Sequence, residues 1–190
     1  MKIQSGETRE KLIVAAIAEM QEHGISDFSI RRVAERCEVS SGAPYKHFKS
    51  KSDLVLESIR YINRKWGDVQ CEVIKKCGKD PRQRLVEISI AYVRFLCSNP
   101  AYTSVLMLSD NSLEPEQLTE KAMISTLTEN IITDYCNSVG MNDRDRIRKT
   151  YAVRSFILGA AYMINSGVFE DNEKSIELAR YCIEREFDLD

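Results

Sequence analysis

The sequence predicts an all-α protein of about nine helices. Three observations carry that expectation. Breakers are scarce, eight Gly and four Pro in 190 residues, and most stand where a helix can begin or end. Apolar residues recur at helical spacing through nearly every segment between them. No stretch alternates in the manner of a strand, and no internal repeat is visible.

The first helix is expected from about Glu7 to His23, capped by Thr8 or Ser5. Leu12, Ala16 and Met20 recur at i, i+4 and i+8, and Ile13 and Ile17 widen the face. Ser29 to Cys37 fits a short helix with Ile30, Val33, Ala34 and Cys37 inward, and Ser41 to Phe48 fits another. A longer helix starts near Ser50 and runs to about Trp66, with Leu54, Val55, Ile59 and Ile62 on one side. Ser50 followed by Asp53 is a loose capping box at its start. Pro81, Pro100 and Pro115 suit helix starts; Gly24, Gly67, Gly78, Gly140 and Gly167 suit helix ends. Leu85, Ile88, Tyr92 and Phe95 mark a helix from about Arg82 to Ser98, and a short one follows Pro100. Leu118, Ala122, Leu127, Ile131 and Tyr135 place a long helix from about Pro115 to Ser138. Another spans about Asp143 to Ser166. The last carries Ile176, Ala179, Ile183 and Phe187.

Composition narrows the function. The chain holds 27 Lys+Arg against 29 Asp+Glu, which argues against holding nucleic acid by bulk charge. No apolar run of about 18 residues offers a membrane span. The segment MKIQSGETREKL has no apolar signal core, so a cytoplasmic location is expected. The six cysteines form no CxxC pair, and Cys71 and Cys77 do not share a helical face, so most are expected to be reduced core residues. Only His23 and His47 could join them as zinc ligands, and neither has the spacing. No metal, cofactor, phosphate loop or nucleophile–base pair is indicated, so no enzymatic reaction is expected.

Two short helices joined by a tight turn, between two longer ones, point to a helix-turn-helix. Phe28–Leu54, FSIRRVAERCEVSSGAPYKHFKSKSDL, is the informative stretch. Ala34 is small where two helices must cross. Ser40 and Ser41 can cap the second short helix and leave its N–H groups for phosphate or base contact. Gly42 and Ala43 allow close backbone approach to a major groove. Tyr45, Lys46 and His47 suit phosphate contact, and Lys51 can reach the flanking backbone. The stretch resembles the DNA-binding segment of the TetR family of bacterial repressors. Val33–Ala34, Val39–Ser40, Gly42, Tyr45, Phe48, Lys51 and Leu54 fall in that family's order. Glu38 stands where the family usually has Gly in a left-handed turn, a departure worth about 1 kcal/mol. Pro44 stands where many members have an aliphatic residue, tolerable in a first turn.

The resemblance implies that residues 1–50 form the DNA-binding domain, with the fourth helix as connector to about residue 66. It adds Ser29 and Arg31 to the DNA-contact candidates Ser40, Ser41, Gly42, Ala43, Tyr45, Lys46, His47 and Lys51. Residues 67–190 are then an effector-binding and dimerisation domain. Candidate effector contacts are Ile62, Trp66, Phe95, Tyr102, Met107, Leu127, Ile131 and Tyr162, suited to an apolar or aromatic molecule. Candidate contacts of a two-fold homodimer are Phe156, Ile157, Ala160, Ile164, Ile176, Ala179, Ile183 and Phe187 on the last two long helices. The function implied is a repressor released from a palindromic operator by a small molecule. The alternative is a helical adaptor or small-molecule-binding protein that does not touch DNA. Charge distribution favours the former: residues 1–66 carry 12 basic against 9 acidic side chains, and Ser29–Lys51 carries 6 against 2.

Overall fold

The computed structural model describes residues 2–108 and 110–187. Among them are eight α-helices and no strand: α1 Lys2–His23, α2 Ile30–Arg36, α3 Lys51–Lys76, α4 Pro81–Ser98, α5 Pro100–Leu106, α6 Pro115–Ser138, α7 Asp143–Asn165 and α8 Glu173–Glu186. Most bounds lie within two residues of the sequence expectation. No described helix is long and apolar enough to cross a membrane. The chain divides into two compact units, Met1–Lys65 with Ala101–Met123, and Trp66–Pro100 with Ile124–Asp190.

The N-terminal unit is built on α1. Its anticipated stripe is real: Leu12, Ile13, Ala16, Ile17 and Met20 are all buried, joined by Phe28, Val33, Ala34, Phe48, Leu54, Val55 and Ile59. The helix begins well before Thr8, so Thr8 is not its cap, and the Ser5 side chain lies outside the described residues. Arg9 reaches the α3 carboxylate of Glu57. Burial alone would raise the Glu57 carboxyl, but hydrogen bonds from Arg9 and Arg60 outweigh it and hold the group below its ordinary value. Within this unit side-chain hydrogen bonds join α3 to α6. Gln117 Nε2 donates to Ser52 O at 3.0 Å, and Asn63 Nδ2 donates to Glu120 O at 2.7 Å.

The C-terminal unit packs α4, α7 and α8 on one another. Its core contains Leu85, Ile88, Val93, Leu96, Val153, Ile157, Ala161, Ile176, Ile183 and Phe187. Tyr135 donates to Phe187 O at 2.8 Å, with its ring edge-on to the Phe187 ring at 5.2 Å. Arg180 grips Glu87 through two bonds, of 2.6 and 2.9 Å, which lowers the Glu87 carboxyl. Cys97 and Cys136 are buried and Cys71 is exposed; all six cysteines are free thiols. Burial pushes the Cys97 thiol up to about 11, which keeps it protonated and unreactive.

Two expectations are corrected. The long helix after Ser50 does not end at Trp66 but continues through Gly67 to Lys76. Gly67 can adopt a helical conformation like any residue, and the amphipathic spacing of Val69, Val73 and Ile74 carries the helix past it. The face of α6 is also different. Leu118, Leu127 and Ile131 are only half-buried and Ala122 is exposed, while Gln117, Ile124, Thr128, Ile132, Tyr135 and Cys136 are buried. Two polar residues on the inward stripe disguised it. Among buried side-chain atoms, Asn63 Oδ1, Gln70 Nε2 and Thr128 Oγ1 have no hydrogen-bond partner. Each such orphan costs about 1–3 kcal/mol.

Gly67 offers a direct test. A Cβ there meets nothing within 4 Å, so Gly67→Ala is expected to stabilise α3 by about 0.5–1 kcal/mol, read as a raised thermal midpoint. Gly140 also has open space but sits at φ +65°, so Gly140→Ala is expected to destabilise by about 1 kcal/mol.

Candidate nucleic-acid interface

The interface begins with how α2 is held. Ser29 is its N-cap, and its hydroxyl accepts from Arg32 N at 3.4 Å. Glu19 of α1 is fully buried, and its carboxylate takes Arg32 Nε on one oxygen and Arg36 Nε, at 3.3 Å, on the other. Arg32 also donates to Asp27 O, and Arg36 to Glu22. The Arg36 hydrogen bond lowers the Glu22 carboxyl and raises the Arg36 guanidinium in turn. Charge-assisted bonds of this kind fix orientation as well as energy. Arg32 and Arg36 are therefore structural clamps of α2 on α1. Arg31 projects outward, and among the described residues its ion pair is with Glu35, at 2.9 Å on an exposed face. Exposed pairs of that kind are weak, so Arg31 remains available for a phosphate.

The turn after α2 is a Schellman motif. Val39 N donates to Ala34 O at 3.0 Å and Glu38 N to Glu35 O at 3.1 Å. This geometry needs a left-handed residue, and Glu38 supplies it at φ 55°. The conformation anticipated from the departure at this position is present, with a glutamate in glycine's place.

The second short helix is reduced to a single 3-10 turn, Pro44–Lys46. Pro44 has no N–H, so the bond back to Ser40 O that an α-helix from Ser41 would use cannot form. Ser40 O instead accepts from Ala43 N at 2.8 Å, and Pro44 O accepts from both His47 N and Phe48 N at 2.9 Å. The turn's N-cap is Ala43, with no side-chain cap bond, so Ser40 and Ser41 do not cap it. Buried Pro44 and Phe48 anchor it from beneath, and the Arg9 guanidinium lies 5.3 Å from the Phe48 ring centre. Ser50 then caps α3. Its hydroxyl accepts from Asp53 N at 3.1 Å, while Asp53 accepts from Lys49 N at 2.7 Å.

This construction pushes one set of side chains outward. Ser40, Ser41, Gly42, Tyr45, Lys46, Lys49 and Lys51 are exposed; Ser29, Ala43 and His47 are half-buried. The Lys51 ammonium stands 5.6 Å from the Phe28 ring centre. Of the six basic side chains between Ser29 and Lys51, the three arginines are paired with carboxylates. Lys46, Lys49 and Lys51 carry no ion pair among the described residues. Lys49 falls outside the sequence motif and was missed; only its place in the charge tally hinted at it.

The effector candidates do not gather in one place. In the C-terminal unit Trp66 and Phe95 pack together, ring centres 5.3 Å apart, with Tyr92 against Trp66 at 4.6 Å. Leu127 and Ile131 are half-buried on α6, and Tyr162 is 69% exposed on α7. In the N-terminal unit Ile62 is core, Tyr102 stands edge-on to Tyr61 at 6.4 Å, and Met107 is exposed. The dimer candidates divide by burial. Ile157, Ile164, Ile176, Ala179, Ile183 and Phe187 are buried in their own unit, whereas Phe156 is exposed and Ala160 half-buried. Phe156, Gly159, Ala160, Met163, Phe169, Leu178 and Cys182 line an apolar groove of about 180 Å³ between α7 and α8. Among the described residues no cluster of three or more His, Cys, Asp or Glu is placed to hold a metal.

Glu38→Gly is expected to relieve the left-handed strain and stabilise the chain by up to about 1 kcal/mol, read from denaturant unfolding. A destabilised variant would show that Glu38 is held there by something other than backbone geometry.

Residues 12–58 match the family model of bacterial regulatory proteins, tetR family. The transcriptional regulator AcrR of Shigella flexneri, of helix-turn-helix type, is 34% identical over 89 residues, 47% of this chain and 41% of that protein. BetI of Yersinia pestis (strain Pestoides F), a regulator of the same type, is 34% identical over 82 residues, 43% of this chain and 41% of that protein. The chain thus spans about two fifths of the length of these relatives. Among solved structures, a TetR family transcription regulator from Marinobacter aquaeolei VT8 superposes with a TM-score of 0.81 at 19% identity, covering 98% of each chain. FadR of Bacillus subtilis, solved with stearoyl-CoA, gives 0.73 at 15% identity over 93% of this chain and 96% of that one. Residues 12–58 thus match the tetR-family helix-turn-helix, and the fold of nearly the whole chain is that of the TetR family regulator from Marinobacter aquaeolei VT8.

Proposed function

We propose that this protein is a transcriptional repressor that binds palindromic operator DNA as a homodimer and is released by a small apolar effector. The observation that carries the DNA-binding reading is the exposed turn of residues 40–51. Its three lysines carry no ion pair among the described residues, while the arginines beside it are held by carboxylates. Lys46, Lys49, Lys51 and Tyr45 contact phosphates, and Ser40, Ser41, Gly42 and Ala43 lie against the groove. Ser29, Arg31 and His47 flank them. Residues 1–50 read DNA and residues 67–190 take the effector and the second copy. Release works by population shift: effector binds the DNA-incompetent arrangement more tightly and so weakens operator binding. The FadR neighbour, solved with stearoyl-CoA, supports a small-molecule ligand in this fold.

In a gel-shift titration with the chain's own promoter region, Lys46→Ala is expected to lose about 1 kcal/mol of affinity. The salt dependence should become shallower by about one counterion. Failure of the wild-type chain to bind any palindromic site better than random DNA at physiological salt would refute the reading.

The α7–α8 groove supports the homodimer. Besides Phe156 and Ala160, it presents Leu178, 51% exposed, and neighbouring Tyr181, 61% exposed. Apolar side chains of this size left at a surface mark an interaction site. Phe156→Glu with Leu178→Glu is expected to give a helical monomer by light scattering, with operator affinity reduced at least tenfold. A persistent dimer would move the interface elsewhere.

A further inference from the structure

Of the three arginines between Ser29 and Lys51, Arg32 and Arg36 clamp α2 on α1 through Glu19. Arg31 is held differently. Its Nε donates to Glu35 Oε1 at 2.9 Å, one helical turn further along α2. Its Nη1 and Nη2 carry no hydrogen bond or ion pair among the described residues. The pair stays open to a partner, with side chains 81% and 58% exposed. Lys51 gives its place: the ammonium is 5.6 Å from the ring centre of Phe28, which immediately precedes the Ser29 cap of α2. The start of α2 therefore adjoins the Lys49–Lys51 end of the exposed turn, and Arg31 lies two residues after the cap.

The turn itself carries no comparable donor. Residues 39–51 include no Arg, Asn or Gln, whose flat, two-pronged groups match two atoms on one base edge. Its lysines are point charges and suit phosphates. A guanidinium whose Nε is taken presents its Nη1–Nη2 edge, and that edge matches the O6 and N7 acceptors of guanine in the major groove. Glu35 needs a reason as well. A carboxylate beside phosphates repels them, and an exposed pair one turn apart adds little stability. Fixing the direction of a base-reading arginine supplies that reason. We propose that Arg31 reads a guanine in each operator half-site through Nη1 and Nη2, and that Glu35 is a positioning residue that holds Nε so the free edge meets the base. The inference rests on the DNA-binding reading above and names a base, and the side chains, behind its specificity.

Selection by the full-length chain from a library of random duplexes tests this. The wild-type chain is expected to enrich a two-fold motif with a guanine at one fixed position of each half. Replacing that guanine by 7-deazaguanine, which removes only the N7 acceptor, is expected to weaken wild-type binding about tenfold in gel shift. Arg31→Ala is expected to bind the two duplexes equally and, in its own selection, to show no base preference at that position. Glu35→Ala is expected to cut the penalty to about threefold or less, yet to bind random duplex more tightly, because a carboxylate has left the side of the phosphates. Loss of a merely structural residue would weaken binding to random duplex instead, and that result would overturn the role of Glu35. Glu35→Gln, whose amide oxygen still accepts from Nε, is expected to restore most of the penalty. If Arg31→Ala keeps the wild-type motif and penalty while losing affinity for every duplex alike, Arg31 is a phosphate contact and the proposal is overturned. A motif with no guanine sensitive to N7 also overturns it and leaves the DNA-binding reading standing. If the wild-type chain enriches no motif, the DNA-binding reading fails and this inference fails with it.

Discussion

A carboxylate with no solvent exposure sits between two helices and takes a guanidinium on each of its oxygens. Glu19, Arg32 and Arg36 decide how α2 lies on α1, and the exposed turn of residues 40–51 follows α2 directly. Isolated in the interior, the Glu19 charge would be untenable; bonded to two partly exposed arginines, it becomes an orienting device. The same bonds change the electrostatic identity of the head. They withdraw two of its arginines from any external partner and leave the outward charge to lysines on the following turn. Lysine is a mobile point charge that contacts phosphate without demanding a fixed geometry.

Backbone geometry then shapes the turn. A glutamate held at φ 55° closes the Schellman motif, and a proline four residues after Ser40 removes the bond that would have made a full helix. The result is a short, tight presentation of Gly42, Tyr45 and Lys46 in place of a regular recognition helix. Buried Pro44 and Phe48 anchor that presentation from beneath. Exposed side chains on a rigid support are what recognition of a fixed duplex geometry requires.

Much of this was legible in the sequence, for identifiable reasons. The α1 stripe and the Ser50–Asp53 box are local signals, set by spacing within a few residues. The left-handed position of Glu38 followed from the family resemblance, which puts a glycine at that turn. The stripe of α6 was misread because Gln117 and Thr128 are polar yet face inward. Gln117 is satisfied by Ser52, 65 positions away, and no local pattern could announce that. Gly67 misled in the opposite direction, since a glycine permits a helix end without compelling one.

What the sequence determined by itself was an all-α chain with a basic segment near its start. Those properties depend on local periodicity, capping and the order of a few motif residues. Tertiary structure alone decided which charges are free. Ser29–Lys51 counts 6 basic against 2 acidic side chains, but Glu19 and Glu22, outside that stretch, claim Arg32 and Arg36. Tertiary structure alone also decided which apolar residues of α7 and α8 are core and which remain outward, and it left Asn63 Oδ1, Gln70 Nε2 and Thr128 Oγ1 buried without hydrogen-bond partners. The physical reason is common to all three. Pairing, burial and satisfaction are relations between side chains distant in sequence, and they exist only once the helices have packed.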